Sequence, residues 1–143
     1  MSTSDFDEAV ERFRVAQREF LKGNPELVKA QFSHRDDVSL ANPYGPPVCW
    51  WQQVAQTVER ASSLRRDGEL VGVETIAKQV TADLGYVVQI ERAKAKIGAS
   101  EEITPYALRT TNIFRREEGV WKMVHRHADP ITTAQPAESV LQQ

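Results

Sequence analysis

The last third of the chain carries a strong hairpin signal, which limits the fold more than any other segment does. Residues 107–116 and 120–129 are rich in strand-forming residues, and the short charged segment between them ends in Gly119. A glycine at the end of a loop is typical of a three-residue hairpin turn, because glycine readily takes the left-handed conformation. The sequence therefore predicts two long antiparallel strands joined by a loop at residues 117–119.

Polar side chains that can exchange protons recur at alternate positions of this hairpin. With the loop at 117–119, Thr111 is expected opposite His125, and Arg109 opposite His127. A surface hairpin has no need of several such groups on one face, whereas a hairpin that lines a half-apolar pocket does. We therefore expect this face to form a pocket wall. The opposite face mixes apolar and polar residues, which suits a dimer interface.

The strand before the hairpin adds two polar residues to the expected pocket wall. It is predicted over residues 86–94, where it would bring Glu91 opposite Arg109 and Gln89 beside Thr111. Arg109 is a permanent cation that would keep Glu91 ionised or bind an acidic ligand through two hydrogen bonds. A purely structural ion pair is the alternative, and both interpretations remain open at this point.

Three residues of this wall are candidates for acid–base chemistry. Imidazole groups titrate near neutral pH, so His127 is the candidate proton carrier, and Asp129 at the end of the same strand is a second acid or base. Arg109 would stabilise a developing negative charge. The alternative is a structural role, with Arg109 in an ion pair with Glu91 and the histidines as core or interface residues. His125 and Thr111 are expected only to contact the ligand, and a structural role is favoured for His125.

The two histidines also have the spacing of a metal-binding pair on a strand. Alternate strand residues share a face, so His125 and His127 could ligate one ion if a third ligand came from elsewhere. Arg109, expected opposite His127, would repel a divalent cation. We therefore expect no metal and no other cofactor.

The first half of the chain is predicted to be mainly helical. Apolar residues recur at helical spacing over residues 6–20 and 50–64, and a short helix is expected at 25–32. A brief strand at 37–42 then leads into a segment with three prolines in five residues, which excludes regular structure there.

The segment around these prolines supplies three further candidate ligand contacts. Asn42 and Tyr44 are placed to donate hydrogen bonds at the mouth of the pocket. Trp50 and Trp51 open a helix, and one of them must point away from the core-facing stripe. We expect Trp50 to contact the ligand, with simple burial as the alternative.

Composition limits the partners and the compartment. The net charge is −2, and the basic and acidic residues are intermixed, so no nucleic-acid partner is expected. No apolar run approaches the roughly 18 residues that span a bilayer, so no membrane partner is expected either. A single cysteine, Cys49, excludes an internal disulfide and fits a reducing compartment, and the acidic start does not resemble a secretory signal. A cytoplasmic protein is expected.

The order of the elements predicts an α+β fold. Two helices, a strand and a third helix precede a run of antiparallel strands, so the helices are expected on one face of a curved antiparallel sheet. Such a sheet, wrapped around N-terminal helices, forms a cone with an open mouth. The length of 143 residues fits a single domain over residues 1–143, with an ordered core at about 4–131 and a flexible tail at 132–143.

The segment ALRTTNIFRREEGVWKMVHRHADP resembles the final hairpin of the SnoaL-like and ketosteroid-isomerase-like proteins of the nuclear-transport-factor-2-like superfamily. The shared pattern is Arg-x-Thr on one strand, a charged turn ending in Gly, and then Trp-Lys-x-Val-His-x-His. The matching residues are Arg109, Thr111, Gly119, Trp121, Lys122, Val124, His125 and His127. The resemblance implies a cone-shaped α+β fold, usually dimeric through the outer face of the sheet. It does not imply one activity, and the Tyr–Asp–Asp set of a steroid isomerase is not found at matching positions.

Together these features predict a homodimeric protein that binds a small, largely apolar carbonyl or carboxylate compound. A catalytic form would be a cofactor-free isomerase, cyclase or dehydratase that acts by proton transfer. The alternative is a non-catalytic module of the same fold that serves in dimerisation or ligand sensing. A ligand-sized cavity with converging polar groups would favour catalysis or sensing over a structural role.

Overall fold

The structure is a computed structural model that describes residues 3–142. Within these residues, three helices and six strands make up the fold. In chain order the elements are α1 (Thr3–Phe20), α2 (Glu26–Gln31), β1 (Ser39–Ala41), β2 (Val48–Cys49), α3 (Trp51–Ser63), β3 (Arg65–Val80), β4 (Leu84–Ile97), β5 (Thr104–Glu117), β6 (Val120–Asp129) and a final 3-10 turn (Ala137–Val140). The predicted α+β class and the order of the main elements are confirmed.

One six-stranded sheet contains every strand, in the order β2-β1-β6-β5-β4-β3. Strands β3 to β6 form an antiparallel meander, whereas β1 runs parallel to β6, so the sheet is mixed rather than wholly antiparallel. Register shifts interrupt the β3–β4 pairing at three places and the β5–β6 pairing at one. Such bulges bend a sheet, and the concave side receives the helices.

Aromatic side chains join the first helix to the final hairpin and form the centre of the core. Phe6 is fully buried and meets Phe114 and Trp121 edge to face, with ring centroids 5.4 and 5.2 Å away. The amphipathic stripe predicted for α3 is also buried, at Val54 and Val58. The helical periodicity in the sequence therefore reports the core faces of both long helices.

The hairpin turn is shorter than predicted. Glu118 and Gly119 both have positive φ angles, 51° and 81°, and Glu117 pairs with Val120. Two consecutive residues with positive φ are typical of a two-residue type I′ turn, whose twist matches that of the flanking strands. Relative to the three-residue loop, this moves β5 by one residue against β6.

A bulge at Val124 adds a second shift within the same hairpin. Phe114 pairs with Met123, but Ile113 pairs with His125, so Val124 has no partner on β5. The pleat of β6 is therefore interrupted, and the side chains on either side of Val124 follow different parities. This irregularity decides which polar residues face the interior.

The limits of several elements also differ from the predictions. Strand β3 begins at Arg65, directly after α3, and the strand predicted at 86–94 extends over Leu84–Ile97. The last turn, Ala137–Val140, lies within the predicted flexible tail, and its side chains are exposed. Within residues 3–142, no helix is long and apolar enough to cross a bilayer.

Candidate ligand-binding cavity

A cavity lies between the concave side of the sheet, the helices and the proline-rich segment, and is called here the main cavity. Its wall is formed by twelve apolar residues (Phe20, Leu21, Val28, Phe32, Leu40, Pro43, Val58, Ala61, Leu70, Ala93, Leu108 and Ala128) and seven polar ones (Gln17, Asn42, Tyr44, Arg65, Glu91, Tyr106 and Arg126). The space open to the centres of water molecules is about 60 Å³. A mostly apolar wall with a few converging polar groups is typical of a ligand site.

One polar group of the main cavity is a buried ion pair between Glu91 and Arg126. Both guanidinium Nη atoms donate to the carboxylate, at 2.8 Å each, and Gln17 donates to the same carboxylate at 3.0 Å. Arg126 also donates to Asn112 at 3.0 Å and lies over the Phe13 ring at 5.1 Å. Two parallel charge-assisted bonds fix both side chains, so this pair is a rigid part of the cavity wall.

The second polar group is Arg65, the first residue of β3. Its Nη1 donates to the Ala61 carbonyl at 2.7 Å, its Nη2 to the Tyr44 hydroxyl at 2.9 Å and its Nε to the Tyr106 hydroxyl at 3.2 Å. The guanidinium also stacks near the ring of Phe20. Arg65 is only 4% exposed, so these contacts hold a cation inside the protein.

Arg65 and Arg126 differ in how their charges are balanced. Arg126 is paired with Glu91, whereas no Asp or Glu oxygen among residues 3–142 lies within 4.0 Å of the Arg65 guanidinium. A phenol carries no negative charge at neutral pH, so Tyr44 and Tyr106 do not neutralise Arg65. The wall of the main cavity therefore carries a formal charge of +1, which favours an anionic occupant.

The structure brings some of the sequence-predicted site residues to the main cavity. Asn42, Tyr44 and Glu91 line it. Gln89 is buried nearby, but it donates to Thr75 and lies beside a separate small void between α1 and β3. Trp50 does not reach the cavity and is 59% exposed, with a φ of 70° that is unusual for a bulky residue.

Five predicted residues lie instead on the convex side of the sheet, away from the main cavity: Arg109, Thr111, His125, His127 and Asp129. The expectation that they form a pocket wall is wrong. The bulge at Val124 reverses the facing of the lower half of β6, so Arg126 and Ala128 point inwards in place of the histidines, and the two-residue turn reverses the facing of β5. On β5 the inward residues are Thr110, Asn112 and Phe114, which the sequence assigned to the outer face.

The expected pairing between Glu91 and Arg109 is also wrong. Ile90 pairs with Arg109, and Glu91 pairs with Leu108. Because strand neighbours alternate between the two faces, Glu91 points into the cavity and Arg109 points away from it. Glu91 forms its ion pair with Arg126 instead.

The displaced residues form a hydrogen-bonded group on the convex face, the outer-face cluster of Arg109, His127 and Asp129. Arg109 Nε lies 2.8 and 2.9 Å from the two Asp129 oxygens, and His127 Nε2 lies 2.7 Å from one of them. Burial alone would raise the pKa of Asp129, but hydrogen bonds from the Ile131 amide, Arg109 and His127 outweigh it and lower the pKa. The carboxylate is therefore held ionised.

His125 lies beside this cluster. Its Nδ1 is 2.8 Å from the Ser39 hydroxyl on the parallel neighbour β1. Burial is the main reason that the pKa of His125 lies below 6.5, and the nearby His127 lowers it further. Among the described residues, no group of three His, Cys, Asp or Glu side chains is arranged to hold a metal ion.

Sequence reasoning missed four polar residues of the cavity: Gln17, Arg65, Tyr106 and Arg126. Gln17 carries a usable signal, because it falls on the apolar stripe of an amphipathic helix, next to buried Ala16 and one turn beyond Phe13. Arg126 carries none, because its orientation depends on a bulge that no turn residue marks.

A family model of the SnoaL-like domain matches residues 16–132. No curated protein sequence matches the chain. Among solved structures, a ketosteroid isomerase-like protein from Erwinia carotovora atroseptica is similar with a TM-score of 0.75 and 18% identity, covering 91% of this chain and 96% of that one.

Two further solved structures carry different functional names. A protein from Streptomyces avermitilis, provisionally named a dehydratase of the nuclear-transport-factor-2-like family, aligns with a TM-score of 0.72 and 20% identity over 92% of this chain and 96% of that one. A protein from Thiobacillus denitrificans, provisionally named a calcium/calmodulin-dependent kinase II association domain, aligns with a TM-score of 0.68 and 24% identity over 88% of this chain and 94% of that one. At these identities the likeness shows the fold alone. The family match over residues 16–132 establishes that the chain belongs to the SnoaL-like family, and its fold is that of the nuclear-transport-factor-2-like proteins.

Proposed function

We propose that this protein binds a small organic anion, a carboxylate with a compact apolar body, in the main cavity. The observation that carries the proposal is the buried and unneutralised charge of Arg65. Burying a charge without a counter-charge is costly, and a bound carboxylate would remove that cost. Binding would therefore stabilise the protein as well as fill the cavity.

The surroundings of Arg65 provide donors for such a carboxylate. Three of its five N–H groups are used in the contacts with Ala61, Tyr44 and Tyr106, which leaves two. Because Arg65 donates to both phenol oxygens, each phenol proton remains available for a ligand. A carboxylate beside Arg65 would thus meet a cation and up to four donors.

The size of the cavity limits the ligand. A water molecule occupies roughly 10–15 Å³ of such space, so about 60 Å³ holds roughly four to six non-hydrogen atoms without movement of side chains. The part of an acid that lies inside this cavity is therefore about three or four carbons long, counting the carboxylate. The apolar residues of the wall would contact its hydrocarbon part.

Isothermal titration calorimetry with butanoate, and with butanamide as the uncharged counterpart, tests the proposal. Arg65→Met keeps an unbranched stem and removes the guanidinium with its charge, so it should weaken butanoate binding by roughly 10–100-fold. Tyr44→Phe removes a single donor and should weaken binding by roughly 2–10-fold.

Arg66→Met is the matched control. Arg66 is the next residue of β3, but it pairs with Glu101 at the surface and does not line the cavity. It should bind butanoate as the natural protein does. Equal affinity for butanoate and butanamide, or unchanged binding in a folded Arg65→Met protein, would contradict the proposal.

We propose proton-transfer catalysis as the second function, on a separate observation. The phenol protons of Tyr44 and Tyr106 beside Arg65 have the composition of an oxyanion site, which stabilises an enolate formed from a carbonyl compound. The cavity is less suited to supply the base, because the carboxylate of Glu91 is already occupied by Arg126 and Gln17. Binding therefore ranks above catalysis.

Exchange of α-hydrogens in deuterated water, followed by NMR on short ketones and keto acids, tests the catalytic proposal. The natural protein should accelerate exchange, and Tyr44→Phe should slow the catalysed rate by roughly 10²–10³-fold, the usual effect of losing one oxyanion donor. Exchange no faster than in buffer would leave binding as the function of the cavity.

The convex face of the sheet is proposed as the interface of a homodimer. Leu84 and Tyr86 are 50% and 38% exposed there, and the strand register places Ile113 and His125 in the same row as Tyr86. Exposed apolar side chains on a sheet face are a common mark of association, and two-fold dimers are the commonest oligomers.

Light scattering after size-exclusion chromatography tests the dimer. Tyr86→Lys should give a monomer, whereas Val15→Lys, on the exposed side of α1, should not. A monomeric natural protein, or a dimeric Tyr86→Lys protein, would refute this interface.

A further inference from the structure

A second cavity adjoins the main cavity on the other side of the proline-rich segment. It lies between residues 42–48 and the exposed side of α3, and about 120 Å³ of it is open to the centres of water molecules. Asn42, Tyr44 and Ala61 line both cavities. The two spaces are therefore neighbours that share a wall.

Tyr44 is the central part of that shared wall. Its hydroxyl receives a hydrogen bond from Arg65 in the main cavity, while 51% of the residue is exposed. Pro43, Gly45 and Pro46 beside it are exposed as well. A ligand held by its carboxylate at Arg65 would thus have the boundary of the second cavity within reach past Tyr44.

The second cavity is lined mainly by apolar groups. Pro46, Val48, Ala61 and Leu64 form much of its wall together with the ring of Tyr44, and its polar lining residues are Asn42, Thr57 and Arg60, which is exposed. The apolar part of this wall gains from contact with hydrocarbon. The second cavity is also larger than the water-accessible part of the main cavity, so it would hold roughly eight to twelve non-hydrogen atoms.

We propose that the natural ligand is a monocarboxylate with an apolar tail of about six to ten carbons, whose tail leaves the main cavity past Tyr44 and lies in the second cavity. This inference rests on the proposed anion site at Arg65 and names the ligand class that the site takes. The main cavity recognises the head group, and the second cavity selects for the length of the tail.

A series of straight-chain acids, butanoate, hexanoate, octanoate and decanoate, measured by calorimetry below their micelle concentrations, tests the inference. Each methylene buried in the second cavity should tighten binding by about fourfold. Thr57→Phe should fill the second cavity from α3, because Thr57 lines that cavity and not the main one. It should weaken octanoate binding by at least tenfold and leave butanoate binding unchanged.

Gln56→Phe is the matched control, since Gln56 is the exposed neighbour of Thr57 on α3 and lines neither cavity. It should bind every acid as the natural protein does. If butanoate binds but longer acids bind no more tightly, or if Thr57→Phe affects both acids equally, the second cavity does not hold the tail. If no acid binds at all, the proposed anion site fails, and this inference fails with it.

Discussion

Removal of one partner of the buried ion pair between Glu91 and Arg126 should destabilise the protein severely. The two side chains are 8% and 11% exposed and are joined by two bonds of 2.8 Å. Glu91→Gln leaves the guanidinium buried without a counter-charge, and Arg126→Met does the same to the carboxylate. Each change should cost about 3–5 kcal/mol, a large part of the roughly 5–15 kcal/mol that stabilises a domain.

The double variant, Glu91→Gln with Arg126→Met, separates the free energy that the ion pair contributes from the cost of leaving one buried charge without a partner. With both charges gone, Gln17 and Asn112 lose charged partners, but the amide introduced at position 91 can still bond with Gln17. The double variant should therefore lose about 2–4 kcal/mol, far less than the sum of the single changes. The pair thus gives a coupling energy of several kcal/mol.

Urea unfolding followed by the fluorescence of the tryptophans measures these differences, at one fixed protein concentration in case the fold is coupled to association. Glu74→Gln is the control, because Glu74 on β3 pairs with Arg92 on β4, next to Glu91, but both side chains are more than half exposed. That pair should be worth at most about 1 kcal/mol. If Glu91→Gln and Glu74→Gln lower the free energy of unfolding equally, or if the double variant loses the full sum, the reasoning is wrong.

Three further predictions concern the backbone and the convex face. Gly68→Ala should cost roughly 1–3 kcal/mol in thermal melts, because its Cβ would lie 2.3 Å from the Leu21 carbonyl oxygen, whereas Gly72→Ala on the same strand meets nothing within 4 Å and should be harmless. Glu118→Asn should raise the urea midpoint by the equivalent of roughly 0.5–1 kcal/mol, because asparagine tolerates the φ of 51° better. Burial lowers the pKa of His125 below 6.5, so the unfolded chain takes up its proton first and stability should fall as the pH drops below 6.5; His125→Gln should flatten that slope.

The helices and the order of the main elements along the chain could be predicted because their signals are local. The apolar stripe of α1 contains Phe6 and Phe13, both buried, and Gly23 ends the helical region with a φ of 95°, as a left-handed stop requires. The prolines after Asn42 exclude regular structure, and the chain there is a loop apart from the two-residue strand β2. Each of these features depends on residues within one or two turns.

The sequence could not predict which hairpin side chains point into the cavity, because this depends on the exact number of residues in the turn and in each strand. A side chain changes face with every residue, so a turn shortened by one residue and one bulge each change which residues meet across the strands. The charged segment before Gly119 fits a two-residue and a three-residue turn equally well. Nothing around Val124 marks a bulge, since no glycine or proline is present there.

Arg65 could not be assigned for a different reason. In the sequence it stands beside Arg66 and Asp67, where a solvated basic pair is the ordinary interpretation. Its burial comes from the strand that begins directly after α3 and from two tyrosines 21 and 41 residues away. Contacts at that separation are a property of the folded chain and leave no periodic pattern.

The buried pair also supplies a physical reason for the bulge at Val124. Without it, the run that begins with Trp121 and Met123 on the inner face would continue with His125 and His127, and Arg126 would point outwards. Glu91, fixed on the inner face by its own strand, would then have no cation and would lose two charge-assisted bonds. An unpaired buried carboxylate costs more free energy than one strand residue that lacks its hydrogen-bonded partner in the sheet. The register in which Glu91 is paired with Arg126 is therefore favoured. The same register leaves the histidines on the convex face and places a second arginine in the cavity wall.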